Sequence, residues 1–389
     1  MTRGAVVFQL FALVYLQRLA VPVGGMAISL PLVATAGALA ALAATRRLTF
    51  SRTRLVLFAV MGASAALAQA LAAGAVSAAS LAYLLALYLV YTVRLETGAA
   101  ERAAIWRGFS ALMLVPALLV FAQYGWQLRA GPGSGLGLDG LFPQRLLLPG
   151  YVYQSSSEAW RTWDRPNGVF FLEPSFCSAF LALAFFNEAL WLRRWPLAAL
   201  FLAALLLCSG VTGILMAAVA LCWELRRSPA AVVAGAGLVA LALPVVGGGQ
   251  MAAVGRLAEL ASPGSSGYDR LVLPLASFYR IVGDAGGWVA GHGAGQITAD
   301  FGNAWPLVKL TYEYGLPTAA AWLALFVAAI WGRDRVGLRI AVFLVFQFTG
   351  GYLLSPIMVL FVALSCTMCG EVRDAPPRAI SRAKLYLTS

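Results

Sequence analysis

Long apolar runs follow one another along almost the whole 389-residue chain, parted mainly by short clusters of arginine. A helix needs about 20 apolar residues to cross the hydrocarbon core of a bilayer, or somewhat fewer if it is short or broken. Charged residues make up 11% of the chain and hydrophobic ones 61%, with a mean hydropathy of +0.81. Soluble domains carry about 25% charged residues, so a globular cytoplasmic enzyme is excluded. The expected fold is an all-α integral membrane protein, a single polytopic domain over residues 1–389. By run length it holds about 12 transmembrane helices.

The expected spans cover residues 4–16, 21–44, 55–73, 78–93, 105–124, 168–192, 196–208, 211–225, 230–246 and 317–331, with two more ending at 369. The first, after Arg3, imitates a signal peptide, but no small-residue cleavage site follows and it reads as an uncleaved helix. Two polar stretches are longer than the rest, residues 125–167 and 247–304, and short helices are expected in the second. Lys and Arg favour the cytoplasmic side. With both termini inside, 19 of the 28 Lys and Arg become cytoplasmic, the basic tail 371–389 included, and both long loops face outward. The net charge of +12 is thereby distributed as topology requires. Aromatic residues interleaved with basic ones at a solvated surface are missing, which argues against nucleic acid. The five cysteines lie in or beside apolar segments and form no secreted disulfide framework. Cys366 and Cys369 have redox spacing but lack a second pair or a nearby His, so they read as small residues on a membrane helix.

Nine cations remain on the outward side, among them Arg165, Arg270, Arg280 and Lys309. They oppose the orientation bias, so another pressure retains them. The planar guanidinium stays charged and binds phosphate bidentately. Outward-facing arginine beside a membrane therefore points to an anionic, lipid-linked substrate. The densest stretch is Arg161–Ser178, in which Asp164 and Arg165-Pro166-Asn167-Gly168 lead into an apolar helix that carries Glu173 in its first turns, ahead of Pro174. An ionisable group costs about 2.5–3.5 kcal/mol at such depth, so a role in function is the default reading. The plainer reading is a wet interfacial carboxylate beside a snorkelling arginine.

In the second loop, glycines of Gly291-His292-Gly293-Ala294-Gly295 would let backbone N–H groups approach phosphate or sugar. His292 is the single histidine, fitted in proton affinity to act as a base though equally able to be structural. Lys309 and Glu313 share one helix face beside Tyr312, as an ion pair or as substrate contacts. Gly131–Gly140, rich in glycine, lacks the strand and helix of a dinucleotide site and reads as flexible loop. No Asp-x-Asp pair marks either loop, so no metal is expected to take part and no cofactor is implied.

These segments together resemble the O-antigen polymerase/ligase family of polytopic glycosyltransferases. Arg165-Pro166-Asn167-Gly168-Val169-Phe170-Phe171-Leu172-Glu173-Pro174 resembles the family's Arg-x-x-Gly-x-Phe-x-x-Pro segment at an outer helix start. Ser209-Gly210-Val211-Thr212-Gly213 resembles its serine-containing turn, without the arginine often found there. Arg270 ahead of the Gly-His-Gly segment, and Asn303 ahead of Tyr312-Glu313-Tyr314-Gly315-Leu316, resemble the second-loop pattern. The family's ligases carry a histidine immediately before that asparagine, where this chain has Gly302. That departure favours a repeat-unit polymerase over a ligase. The resemblance implies glycosyl transfer from a polyprenyl-diphosphate-linked oligosaccharide at the outer face of a bacterial inner membrane. Arg165, Arg270, Arg280 and Lys309 would then face the diphosphate. Glu173, His292 and Asn303 would be the catalytic candidates, and Asp164, Tyr312 and Glu313 further substrate contacts. Membrane lipids, a flippase and a chain-length regulator are the implied partners. A ligase using a lipid A-core acceptor and a lipid-linked oligosaccharide flippase are the rival readings.

Overall fold

The computed structural model describes residues 2–23, 26–72, 76–95, 97–131, 134, 136–138, 141–149, 164–226, 261–263, 268–283, 287–297, 304–332 and 335–364. Its order begins α1 (Thr2–Tyr15), β1 (Ala20–Val23), β2 (Met26–Ser29), α2 (Leu30–Ala44), β3 (Leu48–Phe50), α3 (Arg52–Leu71), α4 (Ala78–Leu89), β4 (Val93–Leu95) and α5 (Ala99–Ala130). It continues with α6 (Pro174–Phe186), α7 (Trp195–Cys208), α8 (Val211–Leu225), α9 (Leu273–Gly283), α10 (Gly287–Ala290), α11 (Pro306–Ile330), α12 (Val336–Phe348) and α13 (Pro356–Val362). Proline opens α2, α6, α7, α11 and α13 within the first two positions. Its fixed φ suits a helix start, and its missing N–H would have had no partner there.

Among the described residues four helices are long and apolar enough to cross a membrane: Arg52–Leu71, Ala99–Ala130, Pro174–Leu192 and Pro306–Ile330. Several expected boundaries move. Residues 20–23 and 26–29 pair as antiparallel β1 and β2 rather than starting a span, with β-branched Val21, Val23 and Ile28 among the paired residues. α5 runs on to Ala130, beyond the expected end at 124, because its polar last turns find partners described below. Glu173 sits in extended conformation at the helix cap, one residue before α6, and not in its first turn. The expected span 230–246 and the tail from 371 lie outside the described residues.

α6 is the axis of the molecule. Every residue from Ser175 to Phe186 is buried, and α5, α7 and α8 pack around it. A helix apolar on all sides belongs in a core rather than against lipid alone. Phe180 meets Phe171, Phe109 and Phe361 at ring-centroid distances of 5.2, 6.4 and 4.7 Å. Contact with α8 is backbone-close. A Cβ at Gly213 would overlap the Ser178 carbonyl, and the Gly213 N–H instead donates to Ser178 Oγ at 3.0 Å. That N–H belongs to the first turn of α8, where no intrahelical acceptor exists. The Ser209–Gly213 turn is thus a packing notch for α6.

The two ends differ. At one, Arg54 donates to the carbonyls of Ala328 and Ala329 at 3.1 and 3.2 Å, and Arg339 donates to that of Ile330. These guanidinia close the C-terminus of α11, where unsatisfied carbonyls carry partial negative charge. Arg194 forks onto buried Glu188 at 2.7 and 2.6 Å, and Arg335 lies 3.6 Å over the Trp191 ring. At the other end stand the C-terminus of α5, the starts of α6 and α8, and the first turns of α11, reached by both polar loops.

The Gly213→Ala protein is expected to lose about 2 kcal/mol of stability by overpacking. Thermal unfolding in detergent measures this, and an unchanged Tm would contradict the close approach of α6 and α8.

Candidate active site

The site is built from three segments, two of which meet at the N-terminus of α6 while the third docks on α11. The first is Asp164–Glu173. Gln127 on α5 accepts the Asp164 N–H at 2.8 Å and donates to its carbonyl at 3.2 Å. One turn earlier, Gln123 Oε1 accepts the N–H groups of Asn167 and Gly168 at 3.1 and 2.9 Å. Its Nε2 donates to Asn167 Oδ1 at 3.0 Å and to the Leu136 carbonyl at 2.7 Å. The Cys208 thiol donates to the carbonyls of Pro166 and Pro174 at 3.1 and 3.3 Å. Arg165 is thereby carried, half-buried, between fixed neighbours, while Asp164 is buried.

The second segment brings Arg270. It lies in a single π-turn, Tyr268–Val272, that leads into α9. Its guanidinium stands 3.4 Å from Glu173 Oε2, the same oxygen that accepts the Ser175 hydroxyl at 2.9 Å. Both side chains keep about a third of their surface, 32% and 37%, so the pair is open to a ligand. An exposed pair of this kind is worth about 1 kcal/mol at most. The Arg270 carbonyl accepts the Trp305 indole N–H at 2.9 Å, which ties the turn to the start of α11.

The third segment docks on a break in α11. Gly315 has φ 77° and ψ 167°, and Pro317 follows with no N–H, so carbonyls before the break lose their regular donors. The loop supplies replacements. The N–H of His292 donates to Tyr312 O at 2.7 Å and that of Gly293 to Glu313 O at 3.1 Å. Gln69 from α3 adds a bond to Glu313 O at 3.2 Å while accepting the Ala294 N–H at 2.5 Å. Two of the N–H groups expected to approach phosphate are therefore engaged with the helix. The His292 ring stacks on Tyr312 at 4.3 Å and 12°, with Nδ1 3.2 Å from the Tyr312 carbonyl. A carbonyl only accepts, so that contact is a hydrogen bond in the tautomer that carries its proton on Nδ1. Glu313 is buried, with the Ile297 N–H 3.4 Å from Oε1 and Lys309 as electrostatic partner one turn before.

Of the expected site residues, Glu173 and Arg270 meet directly, and His292, Tyr312, Glu313 and Lys309 gather at the broken helix. Trp305 and Tyr312 pack on the same small apolar cluster of Ala304 and Val308 and so join the two groups. Arg280 lies on α9, its side chain outside the described residues, as is Asn303. Sequence reasoning missed Gln69, Gln123, Gln127, Ser175 and Trp305. The glutamines had a signal: uncharged amides inside apolar runs need partners. Among the described residues no three His, Cys, Asp or Glu side chains come together as a metal group would require.

Compared with known families, residues 6–304 match the one described as WcaD colanic acid polymerase. The chain belongs to the WcaD colanic acid polymerase family. No curated protein and no solved structure matches it. Membership agrees with the resemblance to exopolysaccharide and O-antigen polymerases and makes this a membrane protein with glycosyltransferase activity of the repeat-unit polymerase kind. The stretch matched to WcaD takes in Arg165, Glu173, Arg270 and His292, while Lys309, Tyr312 and Glu313 follow it.

Replacing Gln69 by Leu leaves the Ala294 N–H without its acceptor in a buried setting, at a cost of about 2 kcal/mol. A Tm equal to that of the unaltered protein would show that Gln69 does not hold the loop to α11.

Proposed function

We propose that the chain joins polyprenyl-diphosphate-linked oligosaccharide repeat units at the outer face of the cytoplasmic membrane. The observation that carries this reading is the open Glu173–Arg270 pair, 3.4 Å apart, at the end where both polar loops converge. The basic clusters at the opposite end suit the cytoplasmic side, which would put the pair outside. There the glycosyl-diphosphate bond itself drives transfer, with no nucleotide required.

In the proposed step a sugar hydroxyl of one unit attacks the anomeric carbon of another. The bond from that carbon to the diphosphate oxygen breaks, its electron pair leaves with the diphosphate, and the hydroxyl proton passes to a base. The leaving group gains charge as it departs, so preorganised cations stabilise the transition state more than the ground state. Arg165 and Arg270 fill that role, with Arg280 and Lys309 as outlying cations. A diphosphate at Arg270 displaces Glu173 from its loose pair, and the freed carboxylate accepts the proton. His292 Nε2 is the alternative acceptor. Chemistry of this form needs no metal.

The test uses the purified protein in detergent with native lipid-diphosphate-linked units and no nucleotide. A ladder of lengthening glycans is expected, unchanged by chelator. Arg165→Ala and Arg270→Ala should each lower turnover about 10²–10³-fold, the loss usual for one transition-state donor. Unaltered chain lengths in both variants would sink the arginine role. A single transfer to a lipid A-type acceptor would mean a ligase, and a change of leaflet without growth a flippase.

Removing the base should lower the rate by about 10²-fold or more. Glu173→Gln is expected to do so and His292→Asn, which keeps a donor for the Tyr312 carbonyl, to have the smaller effect. The reverse order would assign the proton to His292.

A further inference from the structure

We infer that Gln123 and Gln127 are positioning residues for diphosphate recognition, acting through Arg165. The inference rests on the reading of Arg165 as a diphosphate contact. The two amides lie at i and i+4 on one face of α5 and are fully buried. Gln127 makes a two-point pair with the main chain of Asp164, on the N-terminal side of Arg165. Gln123 uses both amide atoms on the other side, with its oxygen on two consecutive N–H groups and its nitrogen on Asn167 Oδ1 and the Leu136 carbonyl. Arg165 therefore has its backbone gripped one residue before and two residues after. A long guanidinium side chain loses affinity mainly through the entropy of being ordered, and a clamped base reduces that loss.

The arrangement has a cost that loop anchoring alone does not require. A buried amide in an apolar helix must have its donors and acceptor satisfied. An apolar contact could pin a loop to α5 without that demand. Main-chain pairing, by contrast, fixes direction as well as distance, and it does so on both sides of a single cation.

The experiment measures binding of radiolabelled farnesyl diphosphate, a short polyprenyl diphosphate, to the full chain in detergent by equilibrium dialysis. Gln127→Met and Gln123→Met remove the hydrogen bonds at nearly constant volume. Each is expected to weaken binding about tenfold, as loss of one or two net hydrogen bonds would. In an Arg165→Ala background the same replacements are expected to have no further effect, since residues acting as one unit are non-additive. Equal losses with and without Arg165, or no loss in either, would overturn the clamp. If Gln127→Met is not monodisperse, Gln127→Leu takes its place, likewise removing both hydrogen bonds without adding a charge. An Arg165→Ala protein that binds as tightly as the unaltered one would overturn the role of Arg165 itself. Indifferent glutamines beside a damaging Arg165→Ala would overturn the positioning inference alone.

Discussion

The break in α11 at Gly315 and Pro317 is the constraint on which the site depends. A straight helix from Pro306 to Ile330 would consume its own carbonyls and offer the loop nothing to bind. Interrupted, it exposes acceptors at Tyr312 and Glu313, and the N–H groups of His292, Gly293 and Gln69 answer them. Irregular backbone at membrane depth is tolerated only where protein re-satisfies it or where it lines a cavity. The broken helix thus sets the place of His292, stacks Tyr312 on its ring and fixes Glu313 beneath the loop. The same helix start holds the Arg270 turn through the Trp305 indole. One proline and one glycine organise both halves of the second loop.

A consistent division follows between groups that hold and groups that face outward. The holding groups are uncharged: Gln69, Gln123, Gln127, Ser178 and Cys208 all bond to backbone and are all buried. Neutral amides and thiols carry no Born penalty and still fix geometry. The charged pair, Glu173 and Arg270, keeps a third of its surface instead. A fully buried ion pair would be too well satisfied to release either partner, and its desolvation would be costly. Partial exposure leaves both charges available. At the opposite end the logic is reversed, because Arg194 and Glu188 are bidentate, with the carboxylate wholly buried, and serve structure.

Much of this was legible in the sequence because membrane helices announce themselves by length and apolarity. The bounds of α3, α7 and α8 fall within a few residues of the hydropathy reading. Hydropathy fails where partners override it. β1 and β2 are as apolar as a span start, yet their β-branched residues favour strand pairing there. α5 outlasts its apolar run because Gln123 and Gln127 are satisfied by a segment some 40 residues later in the chain, a pairing no local pattern encodes. Arg165, Glu173 and Arg270 were identifiable as charges out of place. That Glu173 and Arg270 meet is a tertiary fact.

The glycines of the second loop show how one motif can be read correctly and assigned wrongly. Close backbone approach was the right expectation, since a Cβ at Gly291 would come within 2.6 Å of the Glu313 carbonyl carbon. The surface approached is the cut end of a helix rather than a phosphate. A helix end before a break presents partial negative charge, and N–H groups meet it as they would meet an anion.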